Sequence, residues 1–289
     1  MVCYVILHYM VISETSACVE SIKKIDGDKK IIIVDNASPN GSIKQIRELY
    51  GTDSIIDIVE SSSNLGYARG NNLGYEYAVS KYQPDFIVVM NNDMVINQID
   101  FNEQIYKAYN EYHFFILGPD IYSTQKKYHQ NPQTRHLLNK NELQKEYMKL
   151  YLKDKLSCLV YLKWVLKGLL KKAEQVNHDY SDRKYINQVI VNPLLHGSCY
   201  VFSQEFIKKH PQKCFFDGTF MYLEAEILYY QAIRDGEKMI YYPNLKVDHH
   251  EDKSTDAKLT NQAQKSIFSI RCLKKSVKAF IDLMEKDGI

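Results

Sequence analysis

Residues 31–38 read Ile-Ile-Ile-Val-Asp-Asn-Ala-Ser, and residues 86–93 read Phe-Ile-Val-Val-Met-Asn-Asn-Asp. Both are apolar, β-branched runs that end abruptly in polar residues, a pattern typical of buried parallel strands. The carboxyl ends of such strands lie at the edge of the sheet where open α/β folds bind ligands. The two stretches therefore predict an α/β protein whose site contains the polar residues at 35–36 and 91–93.

Strand-like and helix-like segments alternate through the first part of the chain. Apolar runs predict strands at 2–8, 30–34, 54–59, 86–90 and 114–117, and helical spacing predicts helices at 14–25, 42–50, 68–81 and 101–112. Alternation with short linkers implies right-handed crossovers. We therefore predict a Rossmann-like, mostly parallel sheet flanked by helices.

The pattern changes after about residue 123, where long stretches rich in Lys and Leu begin. We predict one domain at residues 1–255, which carries a helical insertion at about 123–189. A C-terminal helical extension at 256–289 follows, because apolar residues recur there at helical spacing.

The stretch from Lys145 to Lys172 allows two interpretations. It holds eight lysines and Trp164, and its leucines fall at helical steps: Leu152, Leu156, Leu159, Leu162, Leu166 and Leu169. A basic amphipathic helix with a Trp can lie in an anionic membrane surface. The same pattern also fits an ordinary helix that packs its leucines on the domain and keeps its lysines in water.

Composition excludes several classes of protein. The net charge of +2 over 289 residues offers no basic field for nucleic acid, so we expect no nucleic-acid partner. Six cysteines lie far apart without a CxxC pair, which predicts free thiols in a reducing compartment. The apolar start at 2–9 is too short to span a membrane and lacks a cleavage region. We expect a cytoplasmic protein.

A third segment, residues 64–72, reads Asn-Leu-Gly-Tyr-Ala-Arg-Gly-Asn-Asn. Its glycines let a backbone approach a diphosphate closely, while Arg69 and the asparagine amides can contact phosphate oxygens. Together with the two strand ends, this segment predicts a nucleotide-sugar site.

At this point the chain resembles the family 2 glycosyltransferases, an inverting group with the GT-A fold, and more narrowly their rhamnosyltransferase-like and capsule-assembly members. Six segments carry the resemblance in family order: 34–38, 64–72, 91–93 in the place of a DxD-type motif, 196–199, 216–228 and 243–249. The resemblance implies transfer of a sugar from a nucleotide-diphosphate sugar to a glycan or a polyprenyl-diphosphate-linked acceptor of bacterial surface polysaccharides. Such an acceptor would place the enzyme at the inner face of the plasma membrane.

The resemblance also implies a divalent metal, Mn²⁺ or Mg²⁺, because the leaving diphosphate must be neutralised. Asp93 is the only carboxylate of its motif and becomes the expected metal ligand. From the residues alone, a strand-end turn that caps the next helix fits equally well. The spacing of relatives favours His249 over His250 as the second ligand, and imidazole suits Mn²⁺ better than Mg²⁺.

Donor and acceptor contacts follow from the same resemblance. Asp35 is expected at the nucleotide base, and Arg69 either binds the diphosphate or pairs with Glu76 along its helix. The remaining donor-site candidates are Asn36, Asn64, Gly66, Asn72, Asn91 and Asn92, of which Asn64 and Asn72 are expected to shape the loop. The acceptor-site candidates are Tyr67, Tyr222 and His196.

The catalytic base poses a specific problem. Relatives resemble residues 219–224 closely but follow Glu224 with a second acidic residue, the usual base, where this chain has Ala225. A methyl group cannot accept the proton that an acceptor hydroxyl loses on attack. Three interpretations stay open: Glu224 or Glu226 has taken over the role, an acidic residue was removed by engineering, or the chain is a natural pseudoenzyme.

Two other functions compete with sugar transfer. A non-catalytic homologue that binds nucleotide sugar or glycan fits the same site residues. A nucleotidyltransferase would need a glycine-rich, basic loop directly after the first strand, and residues 8–10, His-Tyr-Met, are not such a loop. Homo-oligomer formation is left open by the sequence.

Overall fold

The computed structural model describes residues 1–158, 161, 183–250 and 262–288. Its strands are β1 (Val2–His8), β2 (Lys29–Asp35), β3 (Ile56–Glu60), β4 (Phe86–Asn91), β5 (Met94–Val95), β6 (Ile116–Ser123), β7 (Tyr128–His129), β8 (Ile190–Val191), β9 (Cys199–Ser203) and β10 (Met239–His249). Its helices are α1 (Ile12–Lys23), α2 (Ser42–Tyr50), α3 (Gly66–Tyr82), α4 (Phe101–Tyr112), α5 (Lys140–Lys155), α6 (Gln204–Lys209), α7 (Glu224–Arg234) and α8 (Gln262–Lys286). The alternation predicted for the first 120 residues is confirmed.

The strands form one mixed sheet in the order β3-β2-β1-β4-β9-β6-β10-β5, with β7 on β6 and β8 on β10. The first four strands in this order, β3, β2, β1 and β4, are parallel to one another, as predicted. β9 lies antiparallel between β4 and β6, whereas β10 is parallel to β6. The mostly parallel sheet that the sequence predicted is thus parallel from β3 to β4 and again between β6 and β10, and β9 interrupts it because it enters from the opposite end.

Register brings the ends of the central strands to one level. His8 of β1 lies opposite Asp35 of β2, and Leu7 lies opposite Asn91 of β4. Since Cys199, the first residue of β9, pairs with Met90, the loop before β9 also lies at this edge. The carboxyl edge thus collects polar residues from four chain segments.

Helices bury both faces of the sheet. One apolar cluster joins β1, β2 and β4 to α1 and α4, and the other joins the same strands to α3, α6 and α7. A third cluster joins α5, α7 and α8 through residues such as Leu150, Tyr230 and Phe280. The C-terminal helix therefore packs on the domain through α5 and α7.

The predicted helical insertion is only partly described. Its described part begins with the last residue of β6 and contains β7 and α5, so it is not purely helical. The leucines predicted at 159, 162, 166 and 169, and Trp164, lie outside the described residues. Among the described helices, none is both long and apolar enough to cross a membrane.

The start of α3 is fixed by a close backbone approach. Gly66 has φ +77°, and a Cβ there would overlap the carbonyl oxygen of Phe220. The next residue, Tyr67, donates its backbone N–H to that oxygen at 2.7 Å. Only glycine fits this position, because a side chain would push α3 away from the segment before α7.

We predict that Gly66→Ala lowers the free energy of unfolding by about 3 kcal/mol, from left-handed strain and overpacking together. Gly41→Ala is the matched control, because Gly41 has φ +72° and open space around it. We expect it to cost about 1 kcal/mol. Urea denaturation measures both, and equal losses would show that the contact with Phe220 contributes nothing.

Candidate functional site

Asp93 and His249 face each other at the carboxyl edge. His249 ends β10, and its Nε2 lies 3.4 Å from Asp93 Oδ1. Its Nδ1 contacts Gln130 Oε1 at 2.7 Å, so Nδ1 donates its hydrogen there. In the neutral imidazole Nε2 then carries only a lone pair. Two acceptor atoms therefore face each other.

Asp93 Oδ1 is buried and has no hydrogen-bond partner among the described residues. A buried carboxylate oxygen without a partner is costly, and a cation between it and an imidazole nitrogen would remove the cost. Asp93 and His249 therefore fit a metal ion chemically. No group of three or more His, Cys, Asp or Glu that could hold a metal is present in the described part of the chain. Further ligands would have to come from substrate or water.

The loop at residues 196–198 connects the parts of the site. Ser198 O accepts from the backbone N–H of Asn91 at 2.9 Å. Gly197 O accepts from the hydroxyl of Tyr67 at 2.5 Å. The ring of His196 lies edge-on to that of His249, with centroids 5.9 Å apart. The loop thus joins the end of β4 to the start of α3.

His196 is neutral in this position. Burial and the neighbouring charges of His249, Arg135 and Arg183 lower the pKa of His196 to about 3. Its Nδ1 accepts from the Ser198 hydroxyl at 2.8 Å, which leaves the hydrogen on Nε2. The predicted acceptor-site residue therefore offers a hydrogen-bond donor rather than a charge.

The other side of the edge is formed by Asp35 and Asn36. Asp35 Oδ2 accepts from the backbone N–H of Ser38 at 3.2 Å, whereas its buried Oδ1 has no hydrogen-bond partner among the described residues. Asn36 is fully engaged: it donates to Gly66 O and accepts from Leu65 N–H. Asp35 therefore keeps an acceptor for a ligand, and Asn36 shapes the neighbouring loop.

A buried histidine that the sequence analysis did not single out links the two sides. The Thr15 hydroxyl donates to Val11 O, so His8 Nδ1 donates to Thr15 Oγ1 at 2.7 Å. His8 Nε2 accepts from the Ser42 hydroxyl at 2.8 Å. Thr15 Oγ1 also accepts from the Asn92 amide at 3.0 Å. One network therefore ties Asn92, next to Asp93, to the start of α2.

Burial lowers the pKa of His8 to about 4, although Asp35 opposes the shift. The distance from His8 Nε2 to Asp35 Oδ1 is 3.9 Å, too long for a hydrogen bond. His8 therefore stays neutral at physiological pH, and it leaves the Asp35 oxygen open.

Two of the donor-site candidates, Asn72 and Arg69, hold the backbone of the segment before α7. Asn72 uses its whole side-chain amide on the backbone of Cys214 and Phe215, because it lies on the face of α3 packed under that segment. Exposed Arg69 donates its Nε to Asp217 O at 2.8 Å. In the described part of the chain Arg69 forms no ion pair with Glu76.

Asn64 and Asn91 differ in whether their side-chain amides are already hydrogen-bonded. Asn64 Oδ1 accepts from Gly66 N–H at 2.9 Å, which forms the turn before α3 and agrees with a loop-shaping role. The backbone N–H of Asn91 donates to Ser198 O, as described above. Its half-buried side-chain amide has no hydrogen bond to the described residues. The Asn91 amide is thus the one that stays open for a ligand.

The two predicted aromatic acceptor residues also have structural partners. The Tyr67 hydroxyl is held by Gly197 O. The Tyr222 hydroxyl hydrogen-bonds to Ser269 on α8 at 3.0 Å. Tyr222 and the next residue, Leu223, both have positive φ, +75° and +69°, where the chain turns into α7.

The first turn of α7 carries position 225 and its two neighbouring glutamates. Ala225 is buried, and its Cβ lies 3.8 Å from the position that a Cβ on Gly197 would occupy. Position 225 therefore faces the central loop of the site. A carboxylate there would point at the same loop as His196.

The two neighbouring glutamates have different surroundings. Glu226 is buried and pairs with Arg135 at 2.7 Å. Glu224 is half-buried, accepts from the Thr219 hydroxyl at 2.9 Å and has no cationic partner among the described residues. Burial, with a smaller contribution from Glu226, raises the pKa of Glu224 to about 7. Glu224 is thus the carboxylate suited to exchange a proton near neutral pH.

Sequence reasoning missed His8, Thr15, Gln130 and Thr219. A signal existed for His8, since it is a polar residue at the end of an apolar strand, as Asp35 is. The others carry no pattern, because only the fold brings them to the site.

Comparison with known proteins identifies relatives of this arrangement. The model of a family described as "Glycosyl transferase family 2" matches residues 3–210. A hexosyltransferase of low-salt glycan biosynthesis from Haloferax volcanii, Agl10, is 30% identical over 98 residues. That match covers 34% of this chain and 30% of the relative, so most of the relative has no counterpart in the match.

Solved structures resemble the fold at low identity. Staphylococcus aureus TarS 1-349 in complex with UDP has a TM-score of 0.51 at 10% identity, covering 94% of this chain and 64% of that one. GalNAc-T7 with UDP, GalNAc and Mn²⁺ has a TM-score of 0.55 at 10% identity, covering 88% of this chain and 44% of that one. Both likenesses confirm the α/β fold of GT-A type.

We predict that His8 makes folding stability sensitive to acid. Its pKa lies near 6.5 when unfolded and about 4 when folded, so stability falls as pH drops through this window. Between about pH 7 and pH 5 the loss is about 2 kcal/mol. In His8→Gln that loss should disappear from the pH dependence measured by urea denaturation.

The matched control is His136→Gln, because the His136 side chain is 75% exposed. Its pH dependence should follow that of the original chain. Parallel curves for the original chain and His8→Gln would contradict the assignment.

Proposed function

The chain belongs to glycosyl transferase family 2, and from this premise we propose that it transfers a sugar from a nucleotide-diphosphate sugar, with inversion. The acceptor we propose is a glycan or a polyprenyl-diphosphate-linked glycan in bacterial surface polysaccharide synthesis. The observation that carries the proposal is the buried Asp93 Oδ1, open at the carboxyl edge beside His249 Nε2.

In this proposal Asp93 and His249 hold a divalent metal. The mixed oxygen and nitrogen set suits Mn²⁺. A bound metal would supply positive charge for the departing diphosphate. Asn91, whose amide is open beside Asp93, would contact the donor, while Asn92 fixes the strand end through Thr15.

The nucleotide base would lie at Asp35. Its open Oδ1 can accept an N–H from a base, and the neutral His8 does not compete for it. Gly66 and Asn64 shape the loop between this point and α3. The donor would thus extend along the carboxyl edge from Asp35 to Asp93.

Glu224 is the base that we propose for this chain. It lies in the same turn as Ala225, which faces the central loop, and among the described residues it has no cationic partner within ion-pair distance. Glu226, by contrast, is tied to Arg135. Glu224 would take the proton of the acceptor hydroxyl as its oxygen attacks the anomeric carbon. The protonated carboxylic acid then releases that proton to solvent.

The acceptor would approach from the side of His196, whose Nε2–H can donate to a sugar oxygen. A lipid-linked acceptor would place the chain in the cytoplasm, at the inner face of the plasma membrane, as a peripheral protein. Binding of a second copy is compatible with the proposal and is not required by it.

A second candidate function is binding of a nucleotide sugar without turnover. Ala225 favours it, because the position that faces the central loop carries no carboxylate. The two functions share the donor site and differ only in proton transfer.

The metal assignment predicts metal-dependent donor binding. Calorimetric titration with UDP and, in parallel, GDP and dTDP should show affinity for one nucleotide that falls when EDTA replaces Mn²⁺. In Asp93→Asn the Mn²⁺-dependent gain should fall about tenfold or more, since a neutral amide binds metal weakly. His249→Ala should do the same.

Asp248→Asn is the matched control, because Asp248 precedes His249 but hydrogen-bonds to Asn97. It should bind as the original chain does. Equal affinities with Mn²⁺ and EDTA, or an unchanged Asp93→Asn, would refute the metal site.

The base assignment predicts that Glu224→Gln lowers nucleotide release from the donor about 100-fold or more. Only the deprotonated carboxylate accepts a proton, so the rate of the original chain should rise with pH through about 7. Glu226→Gln should keep that rise.

Ala225→Asp separates the two candidate functions. If the original chain shows no turnover and Ala225→Asp creates it, the base is missing and the binding function holds. Turnover in the original chain that Glu224→Gln abolishes supports the transferase.

A further inference from the structure

Helix α5 exposes a row of apolar side chains. Met148, Leu152 and Leu156, the residue after the helix, are 54%, 54% and 50% exposed. Their spacing of four places them on one side of the helix, one above the other. Tyr151 is exposed beside them. Burying such side chains is favourable, so a row of them in water is unusual.

The opposite side of α5 is fixed in the core. Leu143 and Leu150 are buried and pack in one cluster with Val277 and Phe280 of α8. Asp154 strengthens this contact through ion pairs with Arg271 and Lys274. The helix therefore cannot rotate its exposed row inward without losing this packing.

Lysines border the apolar row on both sides. Lys145, Lys149 and Lys153 repeat at the same spacing along one border, and Lys155 lies on the other. All four are exposed. In the described part of the chain, Lys145 and Lys153 have no carboxylate within ion-pair distance.

The acidic residues of α5 do not cancel this charge. Glu142 closes the capping box at the helix start, and Asp154 is paired with α8. Only Glu146 reaches the outer side, where it lies 3.5 Å from Lys149. The outer face of α5 is therefore an apolar row between positive borders.

We propose that this outer face, formed by Met148, Leu152, Leu156 and the lysines at 145, 149, 153 and 155, docks on an anionic lipid surface. The apolar row would enter the boundary between headgroups and acyl chains, and the lysines would reach lipid phosphates. The inference rests on the membrane location in the proposed function and names the surface that makes the contact.

Charge and area favour lipid over a protein partner. Protein interfaces are depleted of lysine at their centre, whereas lysine flanks are typical of helices that lie in a membrane surface. Three apolar side chains also cover far less than the roughly 800 Å² per partner that a stable protein complex buries. A second copy docked on this face alone would be too weak to persist.

The test is co-sedimentation of the full chain with phosphatidylcholine vesicles, with and without phosphatidylglycerol. We expect binding that requires phosphatidylglycerol and weakens with salt, because the lysines supply the attraction. Met148→Ser with Leu152→Ser and Leu156→Ser should lower the partition coefficient about tenfold or more. Lys145→Gln with Lys149→Gln and Lys153→Gln should lower it about a hundredfold.

A charge-matched control replaces three exposed lysines elsewhere, Lys24→Gln with Lys44→Gln and Lys208→Gln. It removes the same net charge and should bind nearly as the original chain does. Equal losses in control and α5 variants would overturn the proposal, as would no binding of the original chain to anionic vesicles.

Two further measurements keep the outcomes distinct. Sedimentation in lipid-free solution should show the same oligomeric state for the original chain and the apolar variant, and a dimer that the variant breaks would overturn the lipid assignment. Titration with whichever of UDP, GDP and dTDP binds the original chain should give the same affinity in all α5 variants. Failure of membrane binding with intact nucleotide binding would leave the donor site standing and remove only the docking surface.

Discussion

The parallel register of β2, β1 and β4 is the constraint on which the rest of the molecule depends. It ends three buried strands at one level, so His8, Asp35 and Asn91 arrive at the same edge. β9 runs the other way, and its leading loop therefore reaches this edge at residues 196–198. A shift of one residue would turn these side chains into the core and scatter the site.

The site is built from buried polar groups, and most of them are satisfied by each other. Hydrogen bonds fix the strand ends through two networks, one that includes His8 and Thr15 and one that includes Asn36. Neither network uses the Oδ1 atoms of Asp35 and Asp93. Asp35 Oδ1 and Asp93 Oδ1 have no hydrogen-bond partner among the described residues, and they lie at opposite sides of the edge. An open carboxylate oxygen costs folding free energy, so these two positions are where a ligand gains most.

Much of the fold was predictable because burial imposes simple periods on the chain. The strands and helices through residue 117 follow from apolar runs and helical spacing, and Asp35 and Asp93 stand out as polar residues that follow such runs, whereas His249 followed only from the family resemblance. The antiparallel orientation of β9 was not predictable, because its five residues are all buried and an apolar run looks the same in a parallel and an antiparallel strand. For the same reason the sheet was expected to be more parallel than it is.

By itself the sequence determined the strand ends and therefore which residue types reach the carboxyl edge, because alternation and apolar runs are local properties. The tertiary structure alone decided which polar side chains stay open. Asn91 and Tyr222 both looked like site residues, yet a helix far along the chain occupies the Tyr222 hydroxyl. Glu224 and Glu226 differ in their partners, which are Thr219 for Glu224 and Arg135 for Glu226. Hydrogen bonds and ion pairs between distant segments depend on packing geometry, which no local pattern contains.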